Sequence, residues 1–235
     1  MGFDKNDYPG DAALPALHRT FAYTSYWLNN PPGSNSNGWS GKRRVVKEAG
    51  LGFLILFNGR LDADLRGKDA GALGKADGEA AVAAAEREGF APGAVVFLDQ
   101  EEGGRLLPEQ SAYLLAWVAA VRKSAYKPGV YCSGIVVPGQ VSTAQDILSH
   151  DRSIVLWVWN DACPPAPGCA LPKTSLTPAA SGVAEARVWQ FSKSPKTEFA
   201  QQCGGYAADK NCYAPTSQVF VDLNLSQSPD PSRGR

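Results

Sequence analysis

The sequence predicts an α/β fold, a single (β/α)8 barrel of the TIM type. The chain has 235 residues, 44% of them apolar, which is enough to bury the core of one large domain. Short apolar runs of strand length recur along it, and helical patterns separate most of them. Such regular alternation favours one barrel over two domains, and an open doubly wound sheet is the main alternative.

Eight segments have the length and apolar character of strands: Gly2–Asp4, Thr20–Tyr23, Gly52–Phe57, Ala94–Leu98, Gly129–Cys132, Ile154–Trp159, Arg187–Phe191 and Val219–Leu223. Four helix signals lie between them: Gly41 to Gly50, the Ala- and Glu-rich run Asp77 to Gly89, a start at Pro108, and a capping box at Ser142.

The end of the chain is less regular than its beginning. Residues 160–185 and 192–218 carry little helical periodicity, so we expect loops or short helices there. We assign residues 1–225 to the barrel domain and interpret residues 226–235, which are rich in Ser and Pro, as a disordered tail.

The net charge and the hydropathy of the chain argue against nucleic-acid and membrane partners. Lys+Arg and Asp+Glu both number 23, so the formal charge is +0 and neither nucleic acid nor another polyelectrolyte is implied. No apolar run approaches the roughly 20 residues that span a membrane. We expect a monomer without a membrane partner.

The cysteines indicate an oxidising compartment. Cys163 and Cys169 flank one loop, and Cys203 and Cys212 flank another, without the spacing or His partners of a zinc site. Local disulfides are the preferred interpretation, although four cysteines allow three pairings. Cys132 is left over and predicts a buried free thiol. We therefore expect a secreted protein whose leader is missing before Gly2.

The run Val95 to Glu102 carries the strongest chemical signal. Side chains at i and i+2 of an extended chain share a face, so Asp99 and Glu101 project together at the mouth of an apolar strand. Their proximity predicts two separated pKa values, one carboxyl protonated and one ionised, as glycosidic cleavage requires. A solvated acidic loop is the alternative.

Other strand ends add acids and sugar-binding groups. Asp4 ends the first strand and Asp222 lies at the end of the eighth, and these strands are neighbours in a closed barrel. Aromatic faces can stack on sugar rings and amides can bond hydroxyls. The candidate substrate-binding residues are Trp159, Tyr131, Gln190, Tyr23 and Asn58; for Trp159, core packing is an equally good interpretation.

Other enzyme classes find no support. The two histidines, His18 and His150, lie on predicted helices or their ends, and neither a catalytic triad nor an H-E-x-x-H motif is present. The Gly-rich spots lack the features of nucleotide-binding loops. We expect no metal and no cofactor.

The ordered set of strand motifs resembles the family-25 glycoside hydrolases, the lysozyme-like barrels, and still more a related glycoside-hydrolase-like domain of unknown function. The resemblance covers nearly the whole chain. It rests on Gly2-Phe3-Asp4, Phe97-Leu98-Asp99-Gln100-Glu101, Gly129-Val130-Tyr131-Cys132-Ser133, Leu156-Trp157-Val158-Trp159, Val188-Trp189-Gln190-Phe191 and Val221-Asp222-Leu223-Asn224. The extension from Tyr23 to Trp39 and the helix Asp77 to Gly89 favour the second group over typical lysozymes.

The resemblance implies roles for the four acids. Glu101 would protonate the leaving oxygen, and Asp99 would stabilise positive charge at the sugar or orient a 2-acetamido group. Asp4 and Asp222 would shape the electrostatics and bind substrate or water. The predicted function is hydrolysis of a cell-wall-type polysaccharide, or of a peptidoglycan-like glycan. The alternative is a carbohydrate-binding protein on a hydrolase-like barrel that has lost turnover.

Overall fold

The computed structural model describes residues 1–136, 138–163, 176–193 and 219–235. Its strands are β1 Gly2–Asp4, β2 Tyr23–Trp27, β3 Gly52–Asn58, β4 Val95–Asp99, β5 Lys127–Ser133, β6 Val155–Cys163, β7 Ala186–Ser192 and β8 Asp222–Ser226. Its α-helices are α1 Leu14–His18, α2 Arg43–Glu48, α3 Asp62–Leu65, α4 Ala70–Arg87, α5 Pro108–Arg122 and α6 Thr143–His150. Short 3-10 helices cover Asp11–Ala13 and Pro178–Ser181.

The strands close into one barrel in chain order, from β1 through β8 and back to β1. The predicted α/β barrel is thereby confirmed. Strands β1 to β7 run parallel, whereas β8 is antiparallel to both of its neighbours, β7 and β1. The barrel is therefore mixed, whereas all eight strands of a standard TIM barrel run parallel. The connection between β7 and β8, for which loops or short helices were expected, lies largely outside the described residues.

Large rings fill the interior of the barrel, and glycines make room for them. Tyr23, Phe97 and Trp157 are almost fully buried. A Cβ on Gly2 would lie 2.1 Å from the Tyr23 ring, and one on Gly129 would lie 2.5 Å from the Phe97 ring. The core of the barrel is thus aromatic, and the two glycines are required by its packing.

Strand β2 lies further along the chain than predicted. It covers Tyr23–Trp27, whereas the sequence pattern indicated Thr20–Tyr23. All five residues of the strand are buried, including the polar Thr24 and Ser25. These two hydroxyl residues interrupted the apolar pattern on which the prediction depended. The shift places Tyr23 at the bottom of the barrel and Trp27 at the top.

Helix α4 is also longer than predicted, since it begins at Ala70 and not at Asp77. Asp69 caps it by accepting a hydrogen bond from the Ala72 N–H at 2.9 Å. The early turns contain glycines, which have poor helix propensity. Packing explains them: a Cβ on Gly74 would lie 2.1 Å from the Tyr113 carbonyl oxygen of α5. Close helix contact outweighs local propensity here.

The end of the chain is an ordered part of the barrel's lower face, which corrects the prediction of a disordered tail over residues 226–235. Ser226 belongs to β8, and the segment after it crosses the barrel beneath β3 and β4. The Ile55 N–H donates to Ser232 Oγ at 2.9 Å, the Phe53 N–H donates to Asp230 Oδ1 at 2.9 Å, and the Val95 N–H donates to the Ser232 carbonyl at 2.8 Å. The segment therefore satisfies backbone groups that the strands leave open, a gain that composition alone does not reveal.

In the part of the chain that the structure describes, no helix combines the length and apolar character needed to cross a membrane. The two histidines lie at helix ends, His18 at the end of α1 and His150 at the end of α6, as predicted.

Candidate functional site

A small crater opens at the upper end of the barrel, where the parallel strands end. Its volume is about 140 Å³, smaller than the roughly 300 Å³ at which pockets for whole small ligands begin, so it can enclose only one end of an extended molecule. Acids, amides, aromatic rings and one lysine line it: Asp4, Asn6, Trp27, Leu56, Asp99, Glu101, Tyr131, Trp157, Gln190, Lys193 and Asp222.

The topology brings the four predicted acids together. Asp4 is the last residue of β1 and Asp99 the last of β4, while Glu101 follows two residues later. Asp222 is the first residue of β8 and pairs in register with Asp4. Because β8 is antiparallel, its beginning lies at the same end of the barrel as the carboxyl ends of the other strands. Asp222 thus reaches the crater by the opposite strand direction from the one expected.

Asp4 is held by a network of side-chain amides. Gln190 Nε2 donates to both Asp4 carboxylate oxygens, at 3.0 and 3.1 Å, and Asn224 Nδ2 donates to Oδ1 at 2.5 Å. Trp157 Nε1 donates to Asn224 Oδ1 at 2.8 Å, and Tyr131 Oη donates to Gln190 Oε1 at 2.7 Å. Trp157 and Tyr131 thereby fix the orientation of the Asn224 and Gln190 amides, so that the N–H groups of both amides face Asp4.

The pKa of Asp4 nevertheless rises to about 7. Burial is the main cause, and the neighbouring Asp222 carboxylate adds to it. The hydrogen bonds from Asn224 and Gln190 act in the opposite direction, because they favour the charged form. Asp4 is therefore poised to change its charge near neutral pH.

Asp99 has a very different environment. Only 4% of it is exposed, and among the described residues its Oδ1 atom has no hydrogen-bond partner. Burial raises the pKa of Asp99 well above its ordinary value, and the charges of Glu101 and Asp4 raise it further. A buried carboxyl oxygen without a partner in the wall of a cavity is available to a ligand or a water.

Glu101 lies exposed at the rim of the crater. Partial desolvation raises the pKa of Glu101, while the Lys193 ammonium lowers it. Its neighbour Glu102 points elsewhere: Glu102 Oε2 accepts from the Asp62 N–H at 2.7 Å and from Gln110 Nε2 at 2.5 Å. Glu102 is thus engaged away from the crater, whereas Glu101 lines it.

The predicted substrate-binding residues divide into two groups. Tyr131 and Gln190 line the crater, whereas Tyr23, Trp159 and Asn58 do not. Tyr23 is fully buried at the bottom of the barrel because β2 begins there. Asn58 Nδ2 donates to the Asn30 carbonyl at 2.9 Å and so anchors the loop after β2.

Trp159 is not at a strand end, since β6 continues to Cys163 beyond a register irregularity. Its indole Nε1 donates to Asp161 Oδ1 at 2.8 Å, and Lys193 Nζ lies 3.7 Å from the centroid of one ring face. That face is occupied by a cation, so it does not serve as a sugar platform in this arrangement.

The crater is also lined by Trp27, Asn6 and Lys193, which are not among the predicted site residues. Trp27 lies on the same side of β2 as Tyr23, so a correct strand boundary would have identified it. Asn6 and Lys193 follow β1 and β7 closely, a position that alone marks them as residues of the crater rim.

The described residues contain no group of three or more His, Cys, Asp or Glu side chains arranged to hold a metal ion. Cys132 is buried and free, as predicted, and burial raises the pKa of its thiol. Of the cysteines expected in disulfides, Cys169, Cys203 and Cys212 lie outside the described residues, and Cys163 is described only through its backbone. The disulfides stay a prediction.

Solved structures with the same fold extend over nearly the whole chain. An uncharacterised protein of B. stearothermophilus shares 19% identity at a TM-score of 0.60, covering 96% of this chain and 95% of its own. The Tat-secreted protein Rv2525c of Mycobacterium tuberculosis shares 12% identity at 0.60, over 97% and 95%. A muramidase from Trichobolus zukalii shares 13% identity at 0.57, over 100% and 99%.

These identities are low, so the likenesses show the fold alone. No curated protein sequence matches the chain significantly. The model of the Rv2525c-like, glycoside hydrolase-like domain matches residues 27–166, more than half of the chain. The resemblance expected from the strand motifs is thereby confirmed, and the protein belongs to the Rv2525c-like, glycoside hydrolase-like domain family.

Proposed function

We propose that this protein is a secreted glycoside hydrolase that cleaves a cell-wall-type polysaccharide by carboxylate acid–base catalysis. One observation carries the proposal: four carboxyl groups converge on a single crater. Their environments differ, because Asp99 is buried without a partner at Oδ1, Asp4 is held by amides and Glu101 lies at the rim. Carboxyls with different proton affinities around one cavity can divide the work of donating and accepting protons.

Glu101 is the proposed general acid. Its position at the rim lets it reach a glycosidic oxygen that leaves toward solvent, and its raised pKa keeps a larger fraction protonated at a given pH. After the proton is transferred, the nearby Lys193 ammonium stabilises the Glu101 carboxylate. The Glu101 carboxylate can then take a proton from the attacking water, which restores the carboxylic acid.

Asp99 is the proposed partner at the sugar. Its protonated form can donate a hydrogen bond to a 2-acetamido oxygen, and its ionised form can stabilise positive charge at the anomeric carbon. Asp4 and Asp222 lie opposite each other across the β1–β8 pair and bind the substrate or the attacking water. Tyr131 and Gln190 complete this side of the crater.

The relatives support the choice of substrate class. A muramidase, the catalytic domain of a Listeria phage endolysin and a bacterial lysozyme share the fold at TM-scores of 0.57, 0.54 and 0.51. Their names describe enzymes that act on bacterial cell walls. Rv2525c is described as Tat-secreted, which supports an extracellular location for this protein as well.

The second candidate function is carbohydrate binding without turnover. The rigid set of hydrogen bonds around Asp4 favours it, because fixed donors and acceptors recognise sugar hydroxyls whether or not a bond is cut. The matched family, moreover, is described as hydrolase-like.

A substrate screen with paired binding measurements separates the two functions. Wild-type protein, Glu101→Gln and Asp99→Asn are incubated with peptidoglycan, chitin and acidic polysaccharides, and released reducing ends are quantified. The surface variant Glu86→Gln serves as the control, since Glu86 is exposed on α4. Hydrolysis predicts release by the wild type and the control only. Saturable binding with no product from any substrate would instead establish the second function.

A further inference from the structure

Lys193 is a cation in a crater otherwise dominated by acids. It follows the last residue of β7 and lines the cavity together with Asp4, Asp99, Glu101 and Asp222. Among the residues described as lining this cavity, it is the only one with a positively charged side chain. The flexible four-carbon stem of a lysine would allow its ammonium to move toward a nearby carboxylate and form an ion pair.

Lys193 does not do so in this structure. Its ammonium lies 3.7 Å from the ring centroid of Trp159, a close cation–π contact. Trp159 is itself oriented by the hydrogen bond from its Nε1 to Asp161 Oδ1 at 2.8 Å. No ion pair joins Lys193 to any carboxylate within the described part of the chain. The Trp159 ring therefore holds the ammonium, and among the residues that the structure describes none accepts a hydrogen bond from it.

The carboxyl groups around Lys193 carry less negative charge than their number suggests, so they repel a bound anion less strongly. Burial raises the pKa of Asp99 well above its ordinary value, which favours the neutral form of this carboxyl. Asp4 carries only part of a charge near pH 7 for the same reason. The negative field at Lys193 is thus weaker than four ionised carboxylates would produce.

From this geometry we infer that Lys193, positioned by Trp159, forms an anion subsite that selects glycans with a carboxylate-bearing sugar beside the cleavage point. The inference rests on the proposed function, and it specifies which glycans the crater accepts. Such a carboxylate would receive charge-assisted hydrogen bonds from the Lys193 ammonium. Two chemical sources fit equally, a hexuronic acid and a sugar with a lactyl ether such as N-acetylmuramic acid.

Direct binding tests the inference without relying on turnover. Isothermal titration uses the Asp99→Asn protein, to slow cleavage, and the wild type in parallel. The probes are oligosaccharides of hexuronic acid, muramic-acid glycan fragments, the methyl esters of both, and neutral N-acetylglucosamine oligomers. Lys193→Met and Trp159→Leu are compared with Lys47→Met, a control at an exposed position of α2. Thermal melting verifies that each variant is folded.

The expected result is that at least one acidic series binds about tenfold more tightly than its methyl ester. Lys193→Met should abolish this preference, Trp159→Leu should reduce it, and Lys47→Met should keep it. Preference for hexuronic or for muramic fragments identifies the source of the carboxylate. Equal binding of acids and esters, a preference that survives in Lys193→Met, or no binding of either acidic series would overturn the inference.

The outcomes also separate this inference from the proposed hydrolysis. Acidic glycans that bind through Lys193 but are never cut contradict hydrolysis and leave the anion subsite standing. Cleavage of neutral glycans at a rate unaffected by Lys193→Met supports hydrolysis and contradicts the anion subsite.

Discussion

The Gln190 side-chain amide donates to both carboxylate oxygens of Asp4, at 3.0 and 3.1 Å, across the crater floor. This contact favours the ionised form of Asp4, whereas burial and the Asp222 charge favour the neutral form; together these effects place the pKa of Asp4 at about 7. Since Tyr131 fixes the Gln190 carbonyl, the amide cannot simply rotate away. Proton affinity at Asp4 is therefore a balance between desolvation and oriented amide neighbours.

Replacement of Gln190 by Leu should shift this balance toward the protonated form. Loss of the donated hydrogen bonds removes a stabilising contact to the charged state, so the pKa of Asp4 should rise by about one pH unit. Carbon-detected NMR titration of the aspartate carboxyls measures it directly. An unchanged or lower pKa would show that Gln190 does not stabilise the Asp4 carboxylate.

Replacement of Asp99 by Asn should stabilise the protein at high pH. The folded state raises the pKa of Asp99 above its unfolded value, so it binds more protons than the unfolded chain and stability falls as pH rises through that window. The asparagine side chain is neutral at every pH in this range, so the variant does not lose stability through ionisation at this position.

Urea unfolding at about pH 5 and about pH 8 tests the linkage. The stability advantage of Asp99→Asn over the wild type should be larger at the higher pH. A difference that is the same at both values, or larger at the lower one, would contradict the burial of an ionisable carboxyl at this position.

Loss of the Ser232 hydroxyl should destabilise the fold, because this hydroxyl binds a backbone group of β3 at the lower face of the barrel. Ser232 is fully buried, and its Oγ accepts from the Ile55 N–H at 2.9 Å. Ser232→Ala leaves that N–H unpaired and should lower the free energy of unfolding by about 1–3 kcal/mol. Ser228→Ala, at an exposed position of the same segment, should change it by less than about 0.5 kcal/mol. Equal effects in urea unfolding would mean that the segment is not part of the core.

The pH dependence of turnover should respond to Lys193. Its ammonium lowers the pKa of Glu101, so Lys193→Met raises that pKa. If Glu101 must be protonated to act, the alkaline limb of kcat/KM moves to higher pH in the variant. Lys193→Arg should keep the wild-type profile. An alkaline limb that does not move, or moves to lower pH, would exclude Glu101 as the group reported by that limb.

The meeting of Asp4, Asp99 and Glu101 could be predicted from the sequence, because the carboxyl ends of parallel barrel strands share one edge. Asp222 was placed correctly for the wrong reason, since β8 runs in the opposite direction and presents its first residue to the crater. Strand direction depends on the chain's path before β8, which apolar periodicity does not encode.

Other features could not be read from local patterns. Thr24 and Ser25 hid strand β2, and with it the position of Trp27. The contact between Lys193 and Trp159 joins strand β6 to the residue after β7, and no local sequence pattern indicates it. Composition suggested disorder for the last residues, whereas hydrogen bonds from Phe53 and Ile55 hold them against the barrel.

The rate of glycosidic bond cleavage by wild-type protein and Glu101→Gln tests the central claim most directly. It is measured as new reducing ends on the substrate that the screen identifies, with Glu86→Gln as the control. A general acid predicts a loss of about 100-fold or more in kcat for Glu101→Gln, with folding and glycan binding retained. Cleavage by Glu101→Gln at the wild-type rate would contradict acid catalysis at this crater.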